Sequence, residues 1–429
     1  MTSKELLERE AKILTPALGW DSGLVVKRGA GAYVETADKE RFLDLSCGTA
    51  TTNIGHNHPK VVEAARRQLE ALIHSGCVYH YESLVELGER LRSITPGDIG
   101  KFFFSNSGAE AVEGCVKLAK FVTGRPSVIA FKGAFHGRTM GALTFTTSAS
   151  KYRAQYRPLL PEIYHAAFPD TYRHPGSGGA EEACDFALAY IEKMFAQEVK
   201  PSEIAAMLVE PVQGEGGYLV APKRFFQRLR ELCTEHGIFL IFDEVQTGMG
   251  RTCKWFAAEH LGVTPDIMAM AKGIASGFPL SVVASTPEIM DKWPPGAHGT
   301  TFGGNPISCA ASCATIDAIR EEKLLENGAK VSAAAFKRLN EWPKKYKAVG
   351  DVRGIGLMIG IEFVKPGTKE PDAEAFQAVA RHALEKRVIL ISCGPGGNII
   401  RLIPPLVITE DEMTRALDVI EEGVKKLGA

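Results

Sequence analysis

Short apolar runs alternate with longer stretches of mixed polarity between about residues 101 and 290. Apolar runs of this kind are typical of parallel strands that are buried on both faces, and the stretches between them supply the covering helices. The pattern predicts a large α/β domain built on a mostly parallel sheet. We interpret as strands the runs at residues 102–104, 128–131, 206–209, 239–242, 267–270 and 281–284.

The two ends of the chain show a different pattern. Residues 24–45 alternate short β-prone runs with turn residues, which is typical of a small antiparallel sheet. An Ala-rich amphipathic stretch after residue 306 predicts a long helix, and from about residue 351 strands alternate with helix again. We therefore expect both ends to form one small α+β domain. Its two parts are predicted at residues 1–60 and 316–429, on either side of a large domain at residues 61–315.

The composition is that of an ordinary globular protein. The chain has 429 residues, of which 45% are hydrophobic and 24% charged, and this is enough for two domains and a large core. Its net charge of −1 gives no reason to expect nucleic acid or an anionic membrane as a partner. No apolar stretch approaches the ~20 residues of a spanning helix, and the N-terminus lacks the apolar core of a signal peptide. We expect a cytoplasmic protein with no membrane or nucleic-acid partner.

The nine cysteines are odd in number and scattered, and no Cys-x-x-Cys occurs. Cys309 and Cys313 are four residues apart, which places them on one face of a predicted helix, but no histidine accompanies them. We therefore expect buried, reduced thiols and no metal site.

Two charged residues follow predicted strands. Asp243 ends the run at residues 239–242, and Lys272 comes just after the run at residues 267–270. The carboxyl ends of strands in an open α/β sheet border the crevice where ligands bind. Taken alone, Asp243 is better explained as a cap of the next turn, and Lys272 has the alternative of a surface lysine at a strand end. Together at these strand ends they suit pyridoxal 5′-phosphate (PLP), which a lysine holds as a Schiff base while an aspartate partners the pyridinium nitrogen.

A helix start follows the first predicted strand of the large domain. Ser107 with Glu110 three residues later is the pattern of a capping box, and Gly108 and Ala109 lie between them. The free amides and the dipole of a helix N-terminus favour an anion, and a glycine there lets it approach. A plain helix start explains the pattern as well, but upstream of the acid–lysine pair it is a candidate phosphate site.

Phe135, His136 and Arg138 follow the strand at residues 128–131. An aromatic side chain there would stack on a flat ring. Alternatively, Phe135 is a core residue and His136 a structural hydrogen-bond donor. Arg138 would bind a carboxylate through the bidentate fork of its guanidinium, or it is only a solvated charge on the loop.

Glu210 and Glu215 lie in a rigid and then glycine-rich loop after the strand at residues 206–209. Both are explained as solvated turn acids unless a cationic cofactor lies near, in which case one of them would face a substrate-binding arginine. Arg401 is the best candidate for that arginine, because it interrupts the apolar run at residues 398–403 and a charge in such a run needs a partner.

In this order and spacing, the motifs resemble the class III (ω-amino acid) aminotransferases of PLP-dependent fold type I, most closely the bacterial 4-aminobutyrate aminotransferases. The resemblance covers nearly the whole chain. It implies a large domain with a mostly parallel seven-stranded sheet beside a small α+β domain formed by both chain ends. The motifs that carry it lie at residues 55–59, 107–111, 135–137, 210–217, 243–248, 271–273, 300–306 and 351–356.

The resemblance implies PLP as the cofactor and a role for each residue around it. Lys272 would hold PLP as a Schiff base and then move the proton between substrate and cofactor. Asp243 would bind the pyridinium nitrogen and Gln246 the phenolic oxygen, while Val245 and Phe135 would pack on the two faces of the ring. The other implied contacts are Ser107, Gly108 and Ala109 at the phosphate, His136 beside the ring, and Glu210 next to Gln246 or the cofactor edge.

The resemblance also implies the substrate contacts and a partner. Arg401 would hold the α-carboxylate of 2-oxoglutarate or glutamate, and Arg138 the distal carboxylate. Glu215 would pair with Arg401 when the donor has no α-carboxylate. Thr301 would reach the phosphate of a neighbouring subunit, which implies a homodimer or higher homo-oligomer. Thr49 departs from the pattern, since it makes a predicted pocket position smaller and more polar than the aliphatic residue of the family.

The predicted reaction is the ping-pong transfer of an amino group from an ω-amino acid such as 4-aminobutyrate to a 2-oxo acid, 2-oxoglutarate. A PLP-dependent amino-acid racemase or epimerase is the open alternative, because the family contains such enzymes and racemisation needs only the return of the proton on the opposite face. A nucleotide-binding or structural α/β protein is disfavoured, since neither Gly-x-x-x-x-Gly-Lys-Ser/Thr nor a strand-linked Gly-x-Gly-x-x-Gly occurs.

Overall fold

The computed structural model describes residues 2–174, 176 and 178–428, and within them the strands form four sheets. In chain order the strands are β1 (Val26–Ala30), β2 (Tyr33–Thr36), β3 (Arg41–Asp44), β4 (Lys101–Ser105), β5 (Ser127–Phe131), β6 (Ile163–Ala166), β7 (Ile204–Val209), β8 (Val212–Gln213), β9 (Leu219–Val220), β10 (Phe239–Asp243), β11 (Ile267–Met270), β12 (Ser281–Ser285), β13 (Val349–Ile355), β14 (Met358–Phe363), β15 (Val388–Ile389), β16 (Ile391–Cys393) and β17 (Ile399–Leu402).

The helices range from single turns to elements of several turns that cover the sheets. They are α1 (Ser3–Ile13), α2 (Cys47–Ala50), α3 (Pro59–Ala71), α4 (Glu82–Arg92), α5 (Gly108–Thr123), α6 (Met140–Phe145), α7 (Ser150–Arg153), α8 (Gly179–Gln197), α9 (Lys223–His236), α10 (Ala258–Leu261), α11 (Pro287–Met290), α12 (Pro306–Glu321), α13 (Leu324–Leu339), α14 (Trp342–Lys345), α15 (Ala373–Glu385) and α16 (Glu410–Lys426), with 3₁₀ turns at Pro201–Glu203 and Lys272–Ala275.

Seven strands form the largest sheet, in the order β4-β12-β11-β10-β7-β5-β6. β12 is antiparallel to both of its neighbours, and the other pairings in the sheet are parallel. Strands β5, β7, β11 and β12 are buried along their whole length, as expected where helices cover both faces. The prediction of a mostly parallel seven-stranded sheet is confirmed.

The ends of the chain form two smaller four-stranded sheets. β1, β2 and β3 are antiparallel, and β15 from the C-terminal part joins them in parallel with β3. The other sheet, β13-β14-β17-β16, is antiparallel and carries Arg401 in β17. The two ends of the chain thus share a sheet. The domain boundaries stay predictions, and the one at residue 315 falls within the continuous helix α12.

The long helix predicted after residue 306 is α12, which packs against α3 and α4. It begins where it does because Pro306 occupies the first turn and the side chain of Asn305 accepts the Ile307 amide at 3.0 Å. Cys309 and Cys313 are both buried free thiols on this helix. No helix among the described residues is both long and apolar enough to cross a bilayer.

Glu421 on α16 ties the last helix to α13 and α14. Its carboxylate accepts hydrogen bonds from Arg338, Lys345 and Tyr346. Burial opposes ionisation of the carboxyl, but the hydrogen bonds from Lys345, Tyr346 and Arg338 outweigh it and lower the pKa of Glu421 to about 2. Because the pKa is depressed in the folded state, this stabilisation is present above the ordinary pKa of 4.5 and is lost as the pH falls toward about 2.

We expect Glu421→Gln to lower the free energy of unfolding at neutral pH by about 3 kcal/mol. The variant should also lose less stability than the wild type as the pH falls from 4.5 toward about 2. Urea unfolding at neutral and acidic pH measures both effects. Glu422→Gln is the matched control, since the side chain of Glu422 is 54% exposed and its ion pair with His382 contributes about 0.5 kcal/mol or less. Equal losses in the two variants would contradict the role of Glu421.

Candidate active site

A cavity of about 350 Å³ opens at the carboxyl ends of β4, β5, β7, β10 and β11. These five strands run in the same direction, so the residues that follow them meet at one edge of the sheet. The volume lies within the usual range of small-molecule sites. The predicted site residues that line the cavity are Ser107, Gly108, Ala109, Phe135, His136, Glu210, Glu215, Asp243, Val245, Gln246 and Lys272.

Asp243 is the last residue of β10 and is almost fully buried. One of its carboxylate oxygens accepts the Val245 amide at 3.0 Å, and the other lies 2.7 Å from Nδ1 of His136. The two contacts hold the carboxylate in one orientation at the cavity wall. His136 is itself buried, and its backbone amide donates to Oγ1 of Thr146 at 2.9 Å, so both its backbone and its ring are anchored.

Lys272 follows β11 through Ala271 and begins a 3₁₀ turn. Its φ of 47° is a left-handed conformation that is rare for a residue with a side chain. Gly273 is required next to it, because a Cβ there would lie 2.3 Å from Nδ2 of Asn53. Burial, and after it the nearby charge of Arg401, lowers the pKa of Lys272. A larger share of the amine is therefore in the neutral form, which is the nucleophilic and basic form.

The predicted capping box is present at the start of α5. Oγ of Ser107 accepts the Glu110 amide at 3.3 Å, and the Glu110 carboxylate accepts the Ser107 amide at 2.8 Å. The amides of Gly108 and Ala109 lie in the same first turn, where an α-helix offers no acceptor of its own. These amides and the helix dipole favour an anion at this end of the cavity.

Val245 and Phe135 both line the cavity and are available to the faces of a planar ligand. A Cβ at position 108 would lie 2.9 Å from Cγ1 of Val245, so only glycine lets α5 approach this closely. The ring of Phe135 meets the ring of Tyr152 edge-on, with their centroids 5.5 Å apart. Both side chains are therefore held by packing.

Glu210 is buried under the loop that follows β7. Its Oε1 accepts the Phe135 amide at 2.8 Å, and its Oε2 accepts the Gly214 amide at 2.9 Å. Burial is the main cause that raises the pKa of Glu210. Gln246 packs against Gly214, where a Cβ would lie 2.4 Å from its Nε2. Glu210 thus supports both Phe135 and Gln246 through the backbone beside them.

Arg401 on β17 is buried and forms an ion pair with Glu215, in which Nη1 lies 3.0 Å from Oε2. The hydroxyl of Tyr152 donates to the other oxygen of Glu215 at 2.9 Å. The guanidinium carbon of Arg138 lies 4.4 Å from the centre of the Tyr152 ring. The structure therefore links both predicted substrate arginines through Glu215 and Tyr152. Tyr152 belongs to the one-turn helix α7, and no pattern in the sequence marked it.

Four of the predicted residues are described by the structure but lie outside the cavity lining: Thr49, Arg138, Thr301 and Arg401. Thr49 lies in a left-handed turn with a φ of 60°, and Thr51, two residues further on, lines the cavity. Arg138 and Thr301 are exposed, whereas Arg401 reaches the cavity through its contact with Glu215.

The residues of the cavity fit PLP. Asp243 offers a fixed carboxylate to a pyridinium nitrogen, the first turn of α5 offers amides to a phosphate, and Lys272 offers an amine whose pKa is lowered. Oε1 of Gln246 is buried and has no hydrogen-bond partner among the described residues, so this amide is available to a polar edge of a ligand.

The sequence matches known proteins along most of its length. A model of the family described as aminotransferase class-III matches residues 19–424. The 5-aminovalerate aminotransferase of Pseudomonas putida is 42% identical over 98% of each chain. The probable 4-aminobutyrate aminotransferase of Bacillus subtilis is 40% identical over 93% of this chain and 92% of the relative. The alanine/serine racemase of Pyrococcus horikoshii is 41% identical over 99% of this chain and 90% of the relative.

The structure also matches a solved transaminase that contains the cofactor. An amine transaminase from an uncultivated Pseudomonas species, in its PLP-bound form, superposes with a TM-score of 0.89 at 32% identity and covers 97% of this chain and 99% of that chain. The architecture is therefore that of the PLP-dependent transferases of fold type I. The chain belongs to the class III aminotransferase family and is a PLP-dependent transaminase.

Proposed function

We propose that the enzyme transfers an amino group from an ω-amino acid, such as 4-aminobutyrate or 5-aminovalerate, to 2-oxoglutarate by a ping-pong mechanism. The proposal depends above all on the ion pair of buried Arg401 with Glu215 at the cavity, with Arg138 linked to it through Tyr152. The relatives named for 4-aminobutyrate and 5-aminovalerate support this class of donor.

The pair of Arg401 and Glu215 suits two substrates that differ at one end. A dicarboxylate acceptor would bring its α-carboxylate to Arg401 and displace Glu215. An ω-amino donor has no carboxylate at that end, so Glu215 stays paired with Arg401. Without a movable acid the buried guanidinium would be uncompensated in the donor half-reaction, which is costly.

Arg138 is the candidate for the distal carboxylate, which donor and acceptor have in common. Its guanidinium is exposed and lies over the Tyr152 ring, and no carboxylate among the described residues forms an ion pair with it. The planar fork of an arginine matches a carboxylate in a bidentate contact. One arginine thus serves both half-reactions, while Arg401 distinguishes between them.

The cofactor site supplies the chemistry. Lys272 would hold PLP covalently until the donor amine takes its place, and the cofactor would then supply an electron sink for the pair of electrons left when a bond to the amine-bearing carbon breaks. Asp243 would keep the ring nitrogen protonated, and the amides of Gly108 and Ala109 would bind the phosphate. The Lys272 amine takes the proton from the amine-bearing carbon of the donor, a role for which its lowered pKa is suited.

A homodimer or higher homo-oligomer belongs to the proposal, with Thr301 reaching the neighbouring site. Thr301 is exposed, and the adjacent Phe302 is 62% exposed. This segment touches another exposed apolar one: Sγ of Cys77 lies 3.5 Å from the Thr300 carbonyl oxygen, and Val78 is 74% exposed. Contiguous apolar surface of this kind favours a second copy of the chain as its cover. A monomer in light scattering would contradict it.

A cytoplasmic location is also part of the proposal. All nine cysteines are free thiols in the structure. A reducing compartment keeps thiols in that state, which supports the assignment.

The donor half-reaction tests the proposed function. PLP-loaded enzyme mixed with one ω-amino acid at a time, without any acceptor, should convert the bound cofactor to its amine form, seen as a loss of absorbance above about 400 nm. Addition of 2-oxoglutarate should then restore the absorbance and yield glutamate. Failure of every ω-amino donor to change the spectrum would refute the proposal.

The racemase alternative is supported by the 41% identity to the alanine/serine racemase of Pyrococcus horikoshii. Racemisation needs neither a dicarboxylate acceptor nor a pair of substrate arginines, so Arg138 and Arg401 favour transamination. Chiral analysis of single amino acids incubated without a 2-oxo acid separates the two functions. Inverted product at a rate comparable to the donor half-reaction would establish the alternative.

A further inference from the structure

Tyr152 contacts three residues of the proposed active site, although it lies outside the cavity lining. Its hydroxyl donates to Oε1 of Glu215 at 2.9 Å, and its ring lies 4.4 Å from the Arg138 guanidinium and edge-on to Phe135. We propose that Tyr152 is a positioning residue that sets the balance between donor and acceptor, a role that rests on the proposed function. Its hydroxyl holds the Glu215 carboxylate in the ion pair with Arg401, and its ring holds Arg138 in place.

Glu215 divides its two carboxylate oxygens between two partners. Oε2 pairs with Arg401 at 3.0 Å, and Oε1 accepts the Tyr152 hydroxyl. The backbone carbonyl of Glu215 accepts the Gly394 amide at 2.9 Å, so the loop is anchored and only the side chain is left to move. An α-carboxylate reaches Arg401 only after Glu215 has left it. A hydroxyl bonded to a carboxylate is a charge-assisted hydrogen bond, and it opposes that departure.

The Tyr152 hydroxyl is a donor throughout the neutral range. Burial, followed by the charge of Glu215, raises the pKa of Tyr152 to about 12. The hydroxyl therefore stays protonated at neutral pH. It can donate a hydrogen bond to the Glu215 carboxylate. This hydrogen bond stabilises the ion pair of Glu215 with Arg401.

Tyr152 also contacts the other arginine: the Arg138 guanidinium lies over its ring, and at the hydroxyl the charge and hydrogen bonding of Arg138 lower the pKa of Tyr152 against the larger effects of burial and Glu215. Arg138 is an exposed side chain on a loop, and such a side chain is mobile unless something orders it. Stacking on the Tyr152 ring orders the guanidinium by a cation–π contact without neutralising its charge. The ring of Tyr152 is in turn held edge-on by Phe135. Loss of the ring therefore weakens the site of the distal carboxylate.

Two substitutions separate these effects. Tyr152→Phe removes the hydroxyl and keeps the ring, and Tyr152→Leu removes both. The probe is glutarate, a dicarboxylate of the acceptor's length that has no carbonyl to react, and calorimetry on PLP-loaded enzyme gives its Kd. The rates of the two half-reactions are measured alongside. Tyr156→Phe is the matched control, because Tyr156 is on the same segment and 57% exposed.

Tyr152→Phe should lower the Kd of glutarate about five- to tenfold, because Glu215 leaves Arg401 more readily. The ratio of kcat/KM for 2-oxoglutarate to kcat/KM for the ω-amino donor should rise by a similar factor. Tyr152→Leu should bind glutarate about tenfold more weakly than Tyr152→Phe, since only it also loses the ring beside Arg138. Tyr156→Phe should match the wild type in all three measurements.

Each part of the inference has an outcome that overturns it. An unchanged or raised Kd of glutarate in Tyr152→Phe overturns the role of the hydroxyl, and equal Kd values in the Phe and Leu variants overturn the role of the ring. Wild-type enzyme that neither binds glutarate nor reacts with 2-oxoglutarate refutes the proposed function itself. Circular dichroism and the cofactor absorbance establish that each variant is folded and loaded.

Discussion

Lys272→Ala is expected to abolish covalent attachment of PLP and to slow the donor half-reaction by at least about 10³-fold. In the proposed mechanism the lost amine is both the point of attachment and the base that takes the proton, so no other group would replace it. The fold should be kept, because the substitution removes one side chain in the 3₁₀ turn after β11 and leaves the left-handed φ of 47° equally strained with alanine.

Reduction with borohydride followed by mass spectrometry detects the covalent adduct in the wild type and its absence in the variant. Unfolding of the two apoenzymes compares their stability without the contribution of the ligand. Lys292→Ala is a suitable control, since the side chain of Lys292 is 53% exposed. Retained adduct formation or full turnover in Lys272→Ala would refute the assignment.

Arg401→Ala is expected to reduce kcat/KM for 2-oxoglutarate by about 10²- to 10³-fold and kcat/KM for the ω-amino donor by less than about tenfold. In the proposed function the acceptor would lose a charge-assisted contact with its α-carboxylate, whereas the donor would make no contact with this guanidinium. The donor half-reaction is affected only indirectly, because Glu215 is left with the Tyr152 hydroxyl as its partner.

Separate measurement of the two half-reactions checks this asymmetry, and Arg381→Ala on the exposed face of α15 serves as the control. Arg401→Lys should recover part of the acceptor activity, since it restores the charge without the bidentate geometry. If donor and acceptor lost activity equally, the assignment of Arg401 to the α-carboxylate would be wrong.

The residues that follow strands were the easiest to predict. Asp243 and Lys272 each come directly after an apolar run, and in a parallel sheet the carboxyl ends of the strands meet at one edge. Ser107 was recognisable as a helix N-cap because a capping box consists of four consecutive residues. These features depend on neighbours in the chain, so one sequence is enough to detect them.

Other features had no local signal. The direction of β12, antiparallel within an otherwise parallel sheet, depends on how its flanking segments cross the sheet. Thr51 rather than Thr49 lines the cavity because the chain turns through left-handed conformations at this point. Arg138 was proposed from the sequence, but its contact with Tyr152 became visible only in the structure.

The amino-acid sequence by itself determined the fold class, the strand ends and the family, because apolar runs and the motifs after them are read along the chain. Only the tertiary structure decided how Arg401, Glu215 and Tyr152 meet: Tyr152 lies on a one-turn helix 63 residues before Glu215, and Arg401 comes from a different sheet. A hydrogen bond or ion pair between distant segments exists only once packing has brought them together. The cofactor is therefore predictable from the sequence, whereas the contacts proposed to control substrate choice are found only in the folded chain.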